Sequence, residues 1–191
     1  MIAVFDDFIT DENLLREIEE AGDSFFYPTG KYTYWKGWWN NEPKTVKQKL
    51  IKYIWKDNLP VNISGNLNGF EHWTGIQRAD KDGRRNYLEL HLDDDVMYRT
   101  KTGNRMFPVF GCVYYPKGFE FEGGDLLIYT DGEQKKPEVI KTRPNRLVIF
   151  NPGSVVHGVD TVTEGVRGAI AINAWAQEPW SVANGHISID E

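Results

Sequence analysis

The sequence predicts a mainly β (α+β) protein, a sandwich or jelly roll of short strands with α-helices at its N-terminal end. Eight short runs rich in β-forming residues follow Pro60, and turn-forming Gly, Asp, Asn and Pro residues separate them. Two segments before Pro60 instead repeat their apolar residues at helical spacing. Of the 191 residues, 40% are hydrophobic and 14% are aromatic, which is enough for a substantial core and excludes a disordered chain.

The N-terminal part predicts one short strand, over residues 2–8, and two helices. Thr10 is a suitable N-cap for the first helix and Gly22 suits its end. The apolar stripe of this helix consists of Leu14, Leu15, Ile18 and Ala21. The second helix is predicted over residues 43–57, with five lysines largely outward and with Val46, Leu50, Tyr53 and Ile54 inward.

The rest of the chain predicts the strands of the jelly roll. They cover residues 70–77, 87–93, 107–115, 125–129, 138–141, 146–150, 155–159 and 166–175. Glu164 and Gly165 are expected to reverse the chain before the last strand, and the tail after Pro179 is expected to be loosely ordered. We expect one domain over residues 1–191, with a helical support over 1–60 and a jelly-roll core over about 70–176.

The second predicted strand contains a His-x-Asp motif. Because side chains alternate along a strand, His91 and Asp93 would share one face as adjacent metal ligands, and Asp94 would point away. The same alternation would turn the leucines of the run, Leu88, Leu90 and Leu92, toward a core. An isolated motif this short is usually only the polar face of an amphipathic strand.

A second histidine and an arginine strengthen the metal hypothesis. His157 follows a turn at residues 151–153, and Arg167 lies ten residues further on. Two imidazoles and one carboxylate are the ligand set that holds non-haem Fe(II) and leaves positions open. Taken alone, His157 could be a core histidine and Arg167 could belong to a surface ion pair. These structural roles explain poorly why the His-x-Asp spacing and the ten-residue spacing occur together. In the last strand, the face that carries Arg167 also carries Ala169, Ala171 and Asn173, with room for a ligand.

These positions resemble the motif of the prolyl-4-hydroxylase-type branch of the 2-oxoglutarate/Fe(II) oxygenases. That motif is His-x-Asp, a distal His, and a Lys or Arg about ten residues later, matched here by His91, Asp93, His157 and Arg167. The tyrosine strand and the Gly-Gly segment of the family have counterparts at residues 113–116 and 122–126. The resemblance covers roughly residues 70–176 and implies a double-stranded β-helix (a cupin-like jelly roll) with the N-terminal helices packed on one sheet.

The resemblance also implies a dioxygenase that uses Fe(II), 2-oxoglutarate and O2, with ascorbate as an optional reductant. Such an enzyme hydroxylates its substrate and releases succinate and CO2. The far carboxylate of 2-oxoglutarate would bind Arg167 and the hydroxyl of Tyr115, or alternatively of Tyr114. Tyr115 is favoured because its strand face carries little other bulk. Relatives often have a hydroxyl residue two or four positions after the basic residue, where this chain has alanines, so any further hydrogen bond must come from elsewhere.

Several alternatives stay open at the level of sequence. A non-catalytic cupin-like metal- or ligand-binding module and a cupin-type dioxygenase or isomerase without 2-oxoglutarate are the rivals, and Arg167 argues against both. Protein-bound proline, a free amino acid and a nucleobase are all open as substrates.

The net charge of −6 argues against nonspecific nucleic-acid binding. Cys112 is the only cysteine and is expected to be a small buried residue. The absence of a signal segment or a long apolar run predicts a cytoplasmic protein without a membrane span.

Six aromatic residues between Tyr27 and Asn41 have two interpretations. They could line a substrate mouth or form a lid, with Trp38 and Trp39 prominent, or they could cover the junction of helices and sheet. His72 is predicted to be a strand histidine rather than a metal ligand, and His186 receives no role.

Overall fold

The computed structural model describes residues 1–36, 42–57, 67–79, 86–131 and 135–190. In these ranges the strands are β1 (Ala3–Phe5), β2 (Thr33–Lys36), β3 (Gly69–Arg78), β4 (Leu88–His91), β5 (Phe110–Tyr115), β6 (Phe121–Gly123), β7 (Leu126–Tyr129), β8 (Glu138–Ile140), β9 (Arg146–Phe150), β10 (Val156–Val159), β11 (Val162–Trp175) and β12 (Ser188–Ile189). The helices are α1 (Glu12–Ala21), α2 (Asp23–Phe26), α3 (Val46–Lys52), which continues into a π-helical turn (Tyr53–Asp57), α4 (Val96–Thr102) and α5 (Trp180–Ala183).

The strands form two sheets. The larger sheet has the order β1-β9-β5-β11-β3-β2-β12, and β6 also pairs with β11. The smaller sheet has the order β4-β10-β7-β8. Neighbouring strands in the described ranges are antiparallel, except that β12 runs parallel to β2. This mainly β architecture confirms the predicted double-stranded β-helix with helices packed on one sheet.

The larger sheet separates two apolar cores. Along β9, Leu147 and Ile149 pack toward the N-terminal helices, whereas Val148 and Phe150 pack against the smaller sheet. This is the alternation expected of a strand that is covered on both faces. The helical core also contains Cys112, which is only 2% exposed as predicted. The inner core, between the sheets, is the smaller one and leaves space for a cavity.

Local hydrogen bonds shift the helix starts from their predicted positions. Asp11, not Thr10, caps α1, because its carboxylate accepts hydrogen bonds from the backbone of Asn13 and Leu14. Thr10 instead contacts the hydroxyl of Tyr53, a partner that the local sequence does not reveal. The second helix begins at Val46 because Thr45 and Gln48 form a capping box.

Two loop predictions at the C-terminal end are wrong. Glu164 and Gly165 do not reverse the chain, because β11 continues through them with Gly165 at a φ of 71°. The left-handed backbone of this glycine lets the strand pass close to Glu120, where a side chain would clash. The tail after Pro179 forms α5 and β12 and buries Val182 against Tyr34 and Trp175. Within the described residues, no helix is both long and apolar enough to span a membrane.

Asn145 joins the N-terminal segment to the larger sheet and provides a test of the fold. Its side chain accepts hydrogen bonds from the Ile9 amide and the Tyr114 hydroxyl, both at 3.0 Å, and donates one to the Ile9 carbonyl at 3.1 Å. It is buried and has a φ of 55°, a conformation that asparagine tolerates better than alanine.

We expect Asn145→Ala to lower the free energy of unfolding by about 2–4 kcal/mol, because it leaves several buried polar groups unpaired. Tyr114→Phe should cost only about 1 kcal/mol, since a single hydrogen bond is lost. Chemical denaturation of both variants measures the difference. Equal losses would show that Asn145 does not organise this junction.

Candidate active site

Two histidines and an aspartate meet at one end of the smaller sheet. His91 is the last residue of β4 and lies directly opposite His157 of β10, with ring centroids 4.4 Å apart. Asp93 follows just beyond β4, where its backbone amide donates to the Pro152 carbonyl at 3.0 Å. One potential ligand atom from each of the three side chains lies within 4.8 Å of the others. The structure therefore brings together all three residues that the sequence predicts as metal ligands.

The route by which β4 reaches this site differs from the prediction. Leu88 and Leu90 are 44% and 45% exposed, so the leucines do not enter a core. The pairing of β4 with β10 is irregular, because His91 lies opposite His157 but Leu88 lies opposite Val159. Between these two pairs the chain advances by three residues along β4 but by only two along β10. This irregularity interrupts the strict alternation of side chains along β4, which is an edge strand. As a result, Leu88 lines the same cavity as His91.

Backbone carbonyls orient both imidazole rings. The Nδ1 atom of His91 lies 2.7 Å from the Glu89 carbonyl, and that of His157 lies 3.1 Å from the Val155 carbonyl. A carbonyl can only accept, so each Nδ1 carries a proton, and each Nε2 is the ring atom that can bind a metal when the ring is neutral. These Nε2 atoms lie 3.2 Å and 3.6 Å from Oδ1 of Asp93. Such orientation by the outer nitrogen is typical of metal-binding histidines.

Asn173 fixes the third member of the triad. Its Nδ2 donates a 2.9 Å hydrogen bond to Oδ2 of Asp93, which leaves Oδ1 facing the imidazoles. Burial raises the pKa of Asp93, but the hydrogen bond from His91 and the nearby positive charge outweigh it and hold the pKa below its usual value. Burial also lowers the pKa of His157. An ionised carboxylate and a neutral imidazole are the forms that bind a metal.

The three consecutive aspartates have three different environments. Asp94 turns away from the histidines and pairs with Arg99 at 2.7 Å and Arg105 at 3.3 Å. Asp95 caps α4 and accepts a hydrogen bond from the amide of Tyr98 at 2.9 Å. Asp93 is the aspartate of this run that faces both imidazoles, as strand register predicted.

Arg167 lies at the other end of the same cavity, on β11. It is 2% exposed, and its Nε donates to the Gly124 carbonyl at 2.8 Å. One terminal nitrogen donates to Oε1 of Gln77 at 2.6 Å, and the other lies 3.4 Å from the Tyr115 hydroxyl. No carboxylate among the described residues lies within ion-pair distance of this guanidinium. A buried cation with only neutral partners strongly favours an anionic ligand.

The two candidate tyrosines point in opposite directions. Tyr115 lies on the inner face of β5, with the Arg167 guanidinium 5.1 Å from its ring centroid. Tyr114 faces the N-terminal helices, where its hydroxyl donates to Asn145. Because neighbouring strand residues point to opposite faces, the alternative residue Tyr114 lies outside the cavity.

The pairing of β3 with β11 gives the cavity its shape. Opposite residues are Arg167 and Gln77 at one end, and Asn173 and Glu71 at the other. Between these polar pairs lie Ala169 opposite Gly75 and Ala171 opposite Trp73. All but Glu71 line the cavity, together with the metal triad. The small side chains in the middle leave room between the triad and Arg167.

A second, outer chamber adjoins the first at the metal triad. Both are lined by Trp73, His91, Asp93 and Asn173. The chamber is further lined by Tyr32, Glu71, Leu92, Asp94, Asp95, Val96, Met97, Ser181, His186 and Ile187. The triad thus separates a compartment that ends at Arg167 from a compartment on the outer side.

The aromatic stretch is divided between the apolar cores and the outer chamber. Tyr34 and Trp35 are at most 2% exposed and pack within the cores, as the packing interpretation holds. Tyr32 instead stacks against Trp73 at 4.7 Å and lines the outer chamber. Trp38 and Trp39 lie outside the described residues.

The remaining histidines are separate from the triad. His72 is buried on the face of β3 that points away from both the cavity and the outer chamber. Its Nε2 lies 2.9 Å from Asp190, in agreement with a strand histidine. His186 stacks on Trp180, with ring centroids 5.4 Å apart, and borders the outer chamber. No local pattern predicts a role for His186, because its position depends on the ordered tail.

Comparison with known proteins identifies the architecture around this site. Residues 75–177, more than half of the chain, match the family model of the 2OG-Fe(II) oxygenase superfamily. This range contains the triad, Gln77 and Arg167. No curated protein matches the sequence significantly.

Solved structures show the same fold at low sequence identity. A Pseudomonas putida prolyl-4-hydroxylase matches with a TM-score of 0.57 at 15% identity, over 93% of this chain and 88% of its own. A viral collagen prolyl hydroxylase from Paramecium Bursaria Chlorella virus-1, in its 2OG complex, gives a TM-score of 0.54 at 14% identity, over 93% of this chain and 96% of its own. A Trichoplax adhaerens prolyl hydroxylase, bound to a hypoxia inducible factor peptide fragment, gives a TM-score of 0.53 at 14% identity, over 95% of this chain and 86% of its own.

Neighbouring aspartates provide a matched test of the metal site. We expect Asp93→Asn to lower divalent metal affinity at least about tenfold, because a charged ligand facing both imidazoles is lost. Asp94→Asn should keep metal affinity and lower thermal stability instead, because it weakens the contacts to Arg99 and Arg105. Calorimetric titration with Fe(II) under anaerobic conditions measures the affinities. Loss of binding in Asp94→Asn alone would contradict the assignment.

Proposed function

The chain belongs to the 2OG-Fe(II) oxygenase superfamily, and from that premise we propose that it hydroxylates an organic substrate while converting 2-oxoglutarate and O2 to succinate and CO2. Membership makes it a 2-oxoglutarate-dependent non-haem iron dioxygenase. The observation that carries the proposal is one cavity with a His-Asp-His triad at one end and, at the other, a buried Arg167 that has no carboxylate partner among the described residues. A simple metal-binding module has no need of such a cation.

The triad fits an iron ion by its donor atoms. His91 and His157 would bind through Nε2 and Asp93 through Oδ1, since their other polar atoms are already hydrogen-bonded. Bound Fe(II) together with 2-oxoglutarate would supply the oxidation of a substrate C–H bond by O2. Asn173 holds the carboxylate in position throughout.

Arg167 would hold the far carboxylate of 2-oxoglutarate. A guanidinium can donate two parallel hydrogen bonds to a carboxylate, and low solvent exposure strengthens them. The hydroxyl of Tyr115 beside it would add a neutral donor. Apolar side chains around the cavity would exclude water from the reacting groups, among them Leu126, Phe150 and Val159.

Gln77 would supply the hydrogen bond for which relatives often use a hydroxyl residue after the basic residue. Its Oε1 accepts from Arg167, so its Nε2 amide is directed along the cavity beside Gly75. An amide donor at this point suits a second carboxylate oxygen. The proposal thereby accounts for the alanines at positions 169 and 171.

The proposed activity is tested by measuring succinate formed from 2-oxoglutarate with and without Fe(II). We expect Arg167→Ala to weaken 2-oxoglutarate binding roughly ten- to a hundredfold, since hydrogen bonds to charged groups contribute about 1.5–3 kcal/mol. Fe(II) affinity should change little, because Arg167 is not a ligand. Arg167→Lys should weaken 2-oxoglutarate binding less than Arg167→Ala does. No succinate under any condition, or unchanged 2-oxoglutarate affinity in Arg167→Ala, would overturn the proposal.

Substitutions of Gln77 test the electrostatics of the same end. Gln77→Glu should weaken 2-oxoglutarate more than Gln77→Ala does, by at least about tenfold, because a glutamate would neutralise Arg167 and repel the ligand. Both dissociation constants are obtained by calorimetric titration of the metal-loaded protein. If Gln77→Glu binds 2-oxoglutarate as well as Gln77→Ala does, the ligand carboxylate does not bind beside Gln77.

A further inference from the structure

The outer chamber contains a buried carboxylate that has no cationic partner in the described part of the chain. Glu71 is only 7% exposed and lines the chamber at the end of β3. No Lys, Arg or His among the described residues lies within ion-pair distance of it. The other acidic residues of the chamber are accounted for: Asp93 faces the histidines, Asp94 is paired with arginines, and Asp95 caps α4.

The charged form of Glu71 is unfavourable while the chamber holds no cation. Burial, and then the nearby charge of Asp93, raise the pKa of Glu71 to about 8. A positive charge placed in the chamber would relieve both effects, because it compensates desolvation and offsets the negative field. An anionic group in the same place would increase the cost.

Two aromatic faces border the same space. Tyr32 and Trp73 stack with ring centroids 4.7 Å apart and planes inclined by 37°, and both line the chamber. Burial, followed by the charge of Glu71, raises the pKa of Tyr32 to about 12, so its ring stays neutral and electron-rich at physiological pH. Aromatic faces of this kind attract ammonium groups, most strongly where water is partly excluded.

We propose that the outer chamber binds the primary substrate through an alkylammonium group, which is held by Glu71 and faced by Tyr32 and Trp73. The role of this site in hydroxylation rests on the proposed function, whereas the binding itself does not. A free amino or imino acid and a peptide with a basic side chain both carry such a group. A proline inside a peptide and an uncharged nucleobase do not.

The position of Glu71 also limits which carbon reacts. Glu71 lies opposite Asn173 in the β3–β11 ladder, and Asn173 is hydrogen-bonded to Asp93 of the triad. One side chain therefore separates the carboxylate from a proposed metal ligand. The hydroxylated carbon should lie within a few bonds of the ammonium nitrogen.

A pair of probes with the same carbon skeleton tests the binding. The full chain, free of metal and 2-oxoglutarate, is titrated with n-butylammonium chloride or 1-butanol, and the indole N–H resonance of Trp73 is followed by NMR. Trp73→Phe assigns that resonance. We expect butylammonium to bind about tenfold or more tightly than butanol, because a charge-assisted hydrogen bond to Glu71 is added. Glu71→Gln should abolish this preference, and Glu164→Gln, which changes an exposed carboxylate on β11, should keep it.

Equal affinities for the two probes in the unsubstituted protein, or an unchanged preference in Glu71→Gln, would overturn the inference. If Glu71→Gln does not fold, the comparison of the butylammonium and butanol affinities of the unsubstituted protein decides whether the chamber prefers an ammonium group. Because these titrations omit Fe(II) and 2-oxoglutarate, failure of succinate formation would overturn the proposed function without altering their result.

A second measurement distinguishes the sources of the ammonium group. Stimulation of succinate formation is compared for L-lysine, L-prolinamide, Nα-acetyl-L-lysine amide and the neutral N-acetyl-L-prolinamide. A response to L-lysine or L-prolinamide without one to Nα-acetyl-L-lysine amide supports an α-amino or α-imino group, and a response to Nα-acetyl-L-lysine amide supports a lysine side chain. Stimulation by the neutral compound alone, or by none of the four, would count against an ammonium substrate.

Discussion

A buried guanidinium must have its charge compensated, and the design of the inner cavity follows from how Arg167 meets this requirement. Its partners within the described residues are a carbonyl, an amide oxygen and a hydroxyl, all of them neutral. They hold the side chain in place but leave a net positive charge in a largely desolvated site. A dianionic cosubstrate that reaches from this charge to a metal would satisfy both ends of the cavity at once.

The ladder between β3 and β11 places the two ends at a fixed separation. Each polar pair, Arg167 with Gln77 and Asn173 with Glu71, is formed across the two strands. Between them on the same face lie three small residues and one large one, Ala169, Gly75, Ala171 and Trp73. Because β11 is a central strand with neighbours on both sides, its register cannot slip without moving every one of these side chains to the wrong face. A single pairing therefore sets the cosubstrate end of the cavity, the place of Glu71 in the outer chamber, and Asn173, which holds Asp93 of the triad.

How far the sequence predicted the site depended on the regularity of each strand. Alternation was reliable along β11, which is paired on both sides, and it correctly placed Arg167 and Asn173 on one face. It failed at Leu88, which lines the same cavity as His91, because β4 is an edge strand with an irregular register. The contact of Gln77 with Arg167 joins residues 90 positions apart, so no local pattern could reveal it. The same holds for Glu71, whose importance lies in the chamber around it and not in its neighbours along the chain.

The most direct test of the central claim is a spectroscopic titration under anaerobic conditions. An α-keto acid that chelates Fe(II) gives a visible charge-transfer absorption, whereas glutarate has the same two carboxylates but lacks the keto group. The account predicts that this absorption develops when Fe(II) and 2-oxoglutarate are both present, and that glutarate suppresses it by competing for Arg167. If the absorption does not develop, or if glutarate cannot compete, the triad and Arg167 do not form one binding site.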